Sequence, residues 1–143
     1  LKKGKKFLFK NPLAFSKKIS QPLLDRISIC SILSKPSKHQ SSITHTELKE
    51  LVATGKKIAT QRNPNGCSNQ FLREQDLLSI ASIDSDANQL LQRFFDHHHV
   101  SLRGQSRLTK LCRTIADSLA SPSIKKTHAL TAIQLTQHHQ LPI

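Results

Sequence analysis

Residues 101–119, SLRGQSRLTKLCRTIADSL, constrain the fold more than any other stretch, because they place two different stripes on one helix. Leu108, Leu111, Cys112, Ile115 and Leu119 recur at i, i+3, i+4, i+7 and i+11, the spacing of a face turned to a core. Arg103, Arg107 and Lys110 recur at i, i+4 and i+7. At about 100° per residue they form a second stripe, roughly a third of a turn from the first. Ser101 is placed to cap the helix by accepting from a first-turn amide. Cations beside a buried seam are placed to hold an anion between packed elements. They equally suit the solvated edge of a core helix. Pattern alone leaves both readings open.

The same periodicity recurs along the chain. Thr44 and Glu47 form a capping box that opens a helix, with Leu48, Leu51, Val52, Gly55, Ile58 and Ala59 on its apolar face. Gly55 costs about 1 kcal/mol against alanine there, which calls for close backbone packing as compensation. Asn63-Pro-Asn-Gly66 is a turn-rich break, followed by a shorter helix over 74–81 carrying Leu77, Leu78 and Ile80. Asp84 is placed to cap the next, whose core face is Ala87, Leu90, Leu91, Phe94 and Phe95. Pro122 and Ser123 start a last helix with Ala129, Leu130, Ala132 and Ile133 facing inward. Upstream, Ile27–Leu33 is short and β-branched, ends before Pro36 and suits a strand. Residues 34–43, rich in Ser and Lys, read as a linker, and residues 1–18 as a basic lead segment. The fold expected is mainly α: a small helical bundle from residue 44 onward, preceded by a short strand.

Composition narrows the function classes. A chain of 143 residues suits one small domain that buries about two-thirds of its extended surface. Lys and Arg number 22 against 9 Asp and Glu, a net charge of +13 that favours polyanionic partners such as nucleic acid or nucleotides. Aromatic residues are only 4%, with no Trp or Tyr, so base stacking is not the expected mode of binding. Cys30, Cys67 and Cys112 stand far apart, which argues against both a disulfide framework and a zinc knuckle and fits a reducing cytoplasm. Cys112, on the apolar stripe, reads as a small core residue. His97, His98 and His99 are consecutive and on a helix point in three directions, so they do not chelate one ion together and no metal site is expected. No apolar run approaches the roughly 18 residues of a membrane span, and the lead segment lacks the continuous apolar core of a secretory signal.

Two stretches carry a family resemblance. Ser101, Arg103, Arg107, Lys110, Arg113, Thr114, Ile115, Ala116 and Asp117 match a Ser-x-Arg-x-x-x-Arg-x-x-Lys-x-x-Arg-Thr-Ile-Ala-Asp signature, and Lys18-Ile-Ser followed by Pro22-Leu-Leu-Asp-Arg-Ile27 matches a second, upstream motif. Together they resemble the C-terminal portion of the magnesium-chelatase-like AAA+ ATPases, most closely the competence-associated ComM/YifB branch. The resemblance implies a remnant of the end of the AAA+ α/β core over residues 1–38, with the arginine-finger region, and a C-terminal helical lid domain over 39–143. It makes Arg26 the finger reaching a neighbouring subunit's nucleotide. Arg103 becomes the lid's sensor-2 arginine, with Arg107 the next candidate. The implied setting is an ATP- and Mg2+-dependent hexameric ring acting on DNA in the cytoplasm.

The chain departs from that pattern in places. Gln21 stands where the family usually has Gly, and Ser28 where it has Asp. Lys56, Ala59 and Thr136 replace its Arg, Gln and Arg, while Arg62 remains. There is no Met and no G-x-x-x-x-G-K-[ST] phosphate loop, and no acidic pair at the end of an apolar strand. The expectation is a truncated product that binds no cofactor and hydrolyses no ATP by itself. It contributes arginines only within a ring of complete ATPase cores. The alternative is a non-catalytic basic module that binds nucleic acid without sequence preference.

Overall fold

The computed structural model describes residues 26–29 and 43–136. Among the described residues five α-helices follow one another: α1 His45–Arg62, α2 Glu74–Ile80, α3 Ser85–His97, α4 Leu102–Ser118 and α5 Lys126–Thr136. Two 3-10 turns, Pro64–Gly66 and Asn69–Phe71, link α1 to α2. The expected mainly α bundle is what forms.

Local chemistry accounts for the helix ends. At the start of α1, Thr44 Oγ1 accepts from the Glu47 N–H at 3.3 Å while the Glu47 carboxylate accepts from the Thr44 N–H at 2.7 Å. The bond from the Thr44 N–H, and next the one that the Thr44 hydroxyl donates to the same carboxylate at 2.8 Å, hold the Glu47 carboxyl below the usual range. The helix stops at Asn63, whose extended backbone is what the ring of Pro64 demands of the residue before it. Asn65 and Gly66 then turn the chain at φ of 55° and 64°. Ser101 Oγ accepts from the Gly104 N–H at 3.2 Å, as a cap of α4 should. Asp84 takes the cap position of α3, but its side chain makes no capping bond. Its backbone N–H instead donates to the Ile124 carbonyl at 3.1 Å, in a short parallel bridge between Ile83 and Ile124. That bridge starts α3 and α5 side by side, and α5 begins at Lys126, later than Pro122 suggests.

Helix α4 is the central element, packed on α1, α2, α5 and the Asn69–Phe71 turn, with α3 against α5. The core is built from Ala87, Leu91 and Phe95 of α3, Leu108, Cys112 and Ala116 of α4, and Ala129, Ala132 and Ile133 of α5. Burial pushes the Cys112 thiol up to about 12, so it stays a neutral packing group. Gly55 does meet backbone: a Cβ there would lie 3.3 Å from the Ser118 nitrogen. Because Ser118 ends α4, the turns of α1 before Gly55 overhang it.

Several apolar residues expected to face inward are exposed. Leu48 and Val52 lie on the overhanging part of α1 and are 47% and 52% exposed. Leu119, just past the end of α4, is 59% exposed, and Leu78 of α2 and Leu130 of α5 also face solvent. The strand expected over Ile27–Leu33 does not form at Ile27–Ile29, which are irregular and exposed; its remainder lies outside the described residues. No helix among the described residues is long and apolar enough to cross a membrane.

Candidate anion-binding groove

The basic stripe of α4 forms one wall of an open groove of about 470 Å3. Arg103, Ser106, Arg107 and Lys110 supply that wall, and Gln70 and Glu74, from the 3-10 turn and the start of α2, oppose it. Lys110 Nζ donates to the Gln70 carbonyl at 3.4 Å, which ties the two walls together. Arg107 is half-buried, and its Nη1 is buried without an acceptor among the described residues. A buried guanidinium donor left unpaired costs about 1–3 kcal/mol or more. Among the described residues three cations face a single carboxylate, Glu74, across the groove, so its electrostatics favour an anionic guest.

Close packing holds the start of this wall. Gly104 follows Arg103, and a Cβ at that position would stand 2.8 Å from Val100 Cγ1. The missing side chain lets Val100 close over the first turn, where its carbonyl accepts from Gln105 Nε2 at 2.9 Å. Arg103 itself is exposed at the groove's edge.

Behind the groove lies a buried charge network that periodicity does not reveal. Asp117 accepts from Nη2 of Arg62 at 2.9 Å, from Nε of Arg113 at 3.1 Å and from Nδ2 of Asn69 at 2.8 Å, and a further bond from Arg62 Nη1 makes that pair bidentate. Arg113 also donates to the carbonyls of Ala81, Ser121 and Pro122, clamping the α2–α3 and α4–α5 connections onto α4. Burial pulls the Arg113 guanidinium below its ordinary range, and the Asp117 charge opposes that pull. Asn69 Oδ1 accepts from Arg62 and from Asn63, and Asn69 also donates to Thr114 Oγ1 at 3.2 Å. Thus Arg113, Thr114 and Asp117, part of the 101–117 signature, tie the bundle together. The signal for this role was an i,i+4 ion pair in which each member directly follows a core residue, Cys112 or Ala116.

The structure brings Arg103 and Arg107 together on one groove and leaves Arg26 off it. Arg26 is exposed, while Ser28, two residues later, lines the groove mouth. Among the described residues no cluster of three or more His, Cys, Asp or Glu is placed to hold a metal ion.

A family model described as magnesium chelatase, subunit ChlI C-terminal, matches residues 42–136, which is most of the chain. The chain belongs to this family. The matched span takes in all five helices, the Arg103–Arg107 groove and the Arg62–Asp117 network of this ChlI C-terminal domain, and it excludes Arg26. No curated protein matches the chain.

Proposed function

We propose that this magnesium-chelatase-type domain is the lid and interface portion of a ComM/YifB-type AAA+ ATPase, and that its α4 arginines read nucleotide phosphates within a ring that works on DNA. The observation that carries the reading is the row Arg103, Arg107 and Lys110 along one wall of an open groove, with Arg107 Nη1 lacking an acceptor among the described residues. A guanidinium pairs with phosphate oxygens in a planar fork, which a lysine does not. In this reading Arg103 follows the terminal phosphate of a nucleotide on its own subunit, and Arg107 steadies it. Among the described residues Glu74 is the one carboxylate that lines the groove. The groove therefore suits phosphate rather than Mg2+, whose ligands belong to the ATPase core. Arg26, ahead of the lid, acts on the neighbouring subunit's nucleotide.

The test joins the chain to the ATPase core of a ring-forming relative. Arg103→Ala and Arg107→Ala weaken both the nucleotide response and turnover. Arg26→Ala lowers turnover by about a thousand-fold, with nucleotide affinity largely kept, because its charge matters mainly in the transition state. Subunits carrying Arg26→Ala regain activity when mixed with partners that keep the arginine but cannot bind ATP. Mixed rings that gain nothing beyond dilution reduce Arg26 to a structural residue.

The net charge of +13 favours a second reading, a basic module that binds nucleic acid without sequence preference. In that case the isolated chain binds duplex DNA, with a log–log salt slope that grows by about 0.9 per phosphate neutralised. Replacing Lys2, Lys3, Lys5 and Lys6 by Ala then flattens the slope without altering helix content.

A further inference from the structure

A second groove, of about 490 Å3, opens between α3 and α5, on helices that contribute nothing to the arginine wall. Its floor is apolar: Leu90 and Phe94 from α3, Leu130 and Ile133 from α5. Its rim carries the cation Arg93, with His97 and His98 beside it. The His98 ring lies on Phe94 with centroids 4.5 Å apart, and His97 meets His98 edge-on at 4.8 Å. Lys126 is exposed, one turn before Leu130 on the stripe of α5 that continues to Ile133. No carboxylate lines the groove among the described residues.

The bundle consumes only part of the apolar floor: Ile133 is also a core residue at 6% exposed, while the others remain partly open. Leu130 is 42% exposed although Ala129 and Ala132 beside it are sealed in the core, and Phe94 is half-buried where its neighbour Phe95 is 6% exposed. Because α3 and α5 start side by side at the Ile83–Ile124 bridge, their two apolar stripes run as a double rail. Leu90 and Phe94 are one helical turn apart, as are Leu130 and Ile133. A guest helix with side chains at i and i+3 or i+4 meets that spacing.

We propose that this groove docks an acidic amphipathic helix from a protein partner. Charge selects the occupant. A second copy of this chain brings another +13, and the basic lead segment 1–18 carries the same sign as the rim. Nucleic acid satisfies the rim but leaves the Leu130–Phe94 floor wet. A helix with leucines on one face and glutamates flanking them buries the floor and pairs the rim in one step, with Leu130 and Phe94 as the anchors. The assignment stands independently of the arginine groove on α4.

The probe is a fluorescein-labelled helical peptide of about 16 residues, with leucines at i, i+4, i+7 and i+11 and glutamates on both flanks. It is titrated against the full 143-residue chain and read by fluorescence anisotropy and by methyl NMR shifts. Leu130→Glu weakens binding about tenfold or more, Arg93→Glu weakens it several-fold, and Leu78→Glu, at an exposed leucine on α2, changes it less than about twofold. A peptide with lysines in place of the glutamates binds at least about tenfold more weakly than the acidic one. Thermal melts confirm that each variant folds, and since Arg93 is exposed its reversal tests the rim even if Leu130→Glu does not. The proposal is overturned if the wild type shows no saturable binding, or if a sequence-scrambled peptide binds equally. Equal losses at Leu78→Glu and Leu130→Glu, or shifts confined to the Arg103–Arg107 wall, overturn it too. So does duplex DNA binding that depends on Leu130 as strongly as the peptide's, since that marks the face as a nucleic-acid surface.

Discussion

Removing the Asp117 carboxylate tests whether a buried charge network, beyond the apolar core, holds α4 in place. Asp117 accepts four hydrogen bonds, two from Arg62 and one each from Arg113 and Asn69. The side chains of Asp117 and Arg113 are each 1% exposed, against 24% for Arg62. Asp117→Ala therefore strands a buried guanidinium without its counter-charge, a change that costs about 3–5 kcal/mol. A small domain has a total stability of about 5–15 kcal/mol, and each kcal/mol lost lowers its melting temperature by about 4–8 °C. The variant is thus expected at the margin of folding at room temperature. Arg62→Ala leaves Asp117 held by Arg113 and Asn69 and is expected to cost about 1–3 kcal/mol. Urea unfolding followed by circular dichroism reads both, with the slopes unchanged and the midpoints ordered wild type, Arg62→Ala, Asp117→Ala. The double variant Arg113→Met with Asp117→Leu sharpens the test. Apolar replacement of a buried ion pair is often neutral or stabilising. Here Arg113 also satisfies the buried Ala81 carbonyl, at 3.1 Å, so the double variant stays about 1–3 kcal/mol below wild type. An Asp117→Ala midpoint within about 1 kcal/mol of wild type would refute the reasoning, since it would mean that the guanidinium reaches water without the carboxylate.

Two further predictions concern α3 and α5. Phe95→Ala is expected to cost about 3–5 kcal/mol, and Phe94→Ala clearly less, because Phe95 is 6% exposed while Phe94 lines the open groove; equal melting temperatures for the two variants would contradict that partition. His128 is 5% exposed, and its Nδ1 accepts from the Lys125 N–H at 3.1 Å at the start of α5. Burial, then the charges of Arg113 and Lys125, pull its pKa below the ordinary 6.5, with Asp84 opposing. The unfolded chain therefore binds this proton more readily than the folded one. The His128 contribution is present above the unfolded value and is lost as the pH falls through 6.5 toward the lower folded value. Urea midpoints at about pH 7.5 and pH 5.5 should fall with acid in the wild type, and fall less in His128→Gln.

Periodicity located the helices well because caps and breakers marked their ends: Thr44 with Glu47, Ser101, and Pro64 after Asn63. It over-read burial where a helix outruns its neighbour. Leu48 and Val52 carry a proper apolar spacing, but only the position of Ser118 shows that α4 ends at Gly55. Leu130 fails in a different way, since it sits on a face that α3 and α5 leave open together. On the groove, the spacing of Arg103, Arg107 and Lys110 made one wall legible. Gln70, Glu74 and Ser28 come from separate segments whose approach no local pattern encodes. The deepest omission is Arg113 with Asp117, because charged residues read as solvated unless a partner is known, and Arg62 and Asn69 lie in distant segments.

The network and the arginine groove share an edge, which explains why one helix carries both. The stripe Arg103, Arg107, Lys110 continues at the same spacing to Thr114, which lines the groove and accepts from Asn69. Asn69 is bonded to Asp117, and the next residue, Gln70, receives Lys110 on the opposite wall. The Asn69–Phe71 turn is therefore a wedge with one side held by the buried ion network and the other facing the anion site. Arg113 fixes α4 from behind through the carbonyls of Ala81, Ser121 and Pro122. With both ends of this linkage anchored, the rotation of α4 is set, and with it the direction of Arg107. Arg107 Nη1 has no acceptor among the described residues, so the placement of that side chain follows from the helix that carries it. Losing Asp117 should therefore loosen the groove even where the bundle survives, whereas losing Arg107 should leave the network whole.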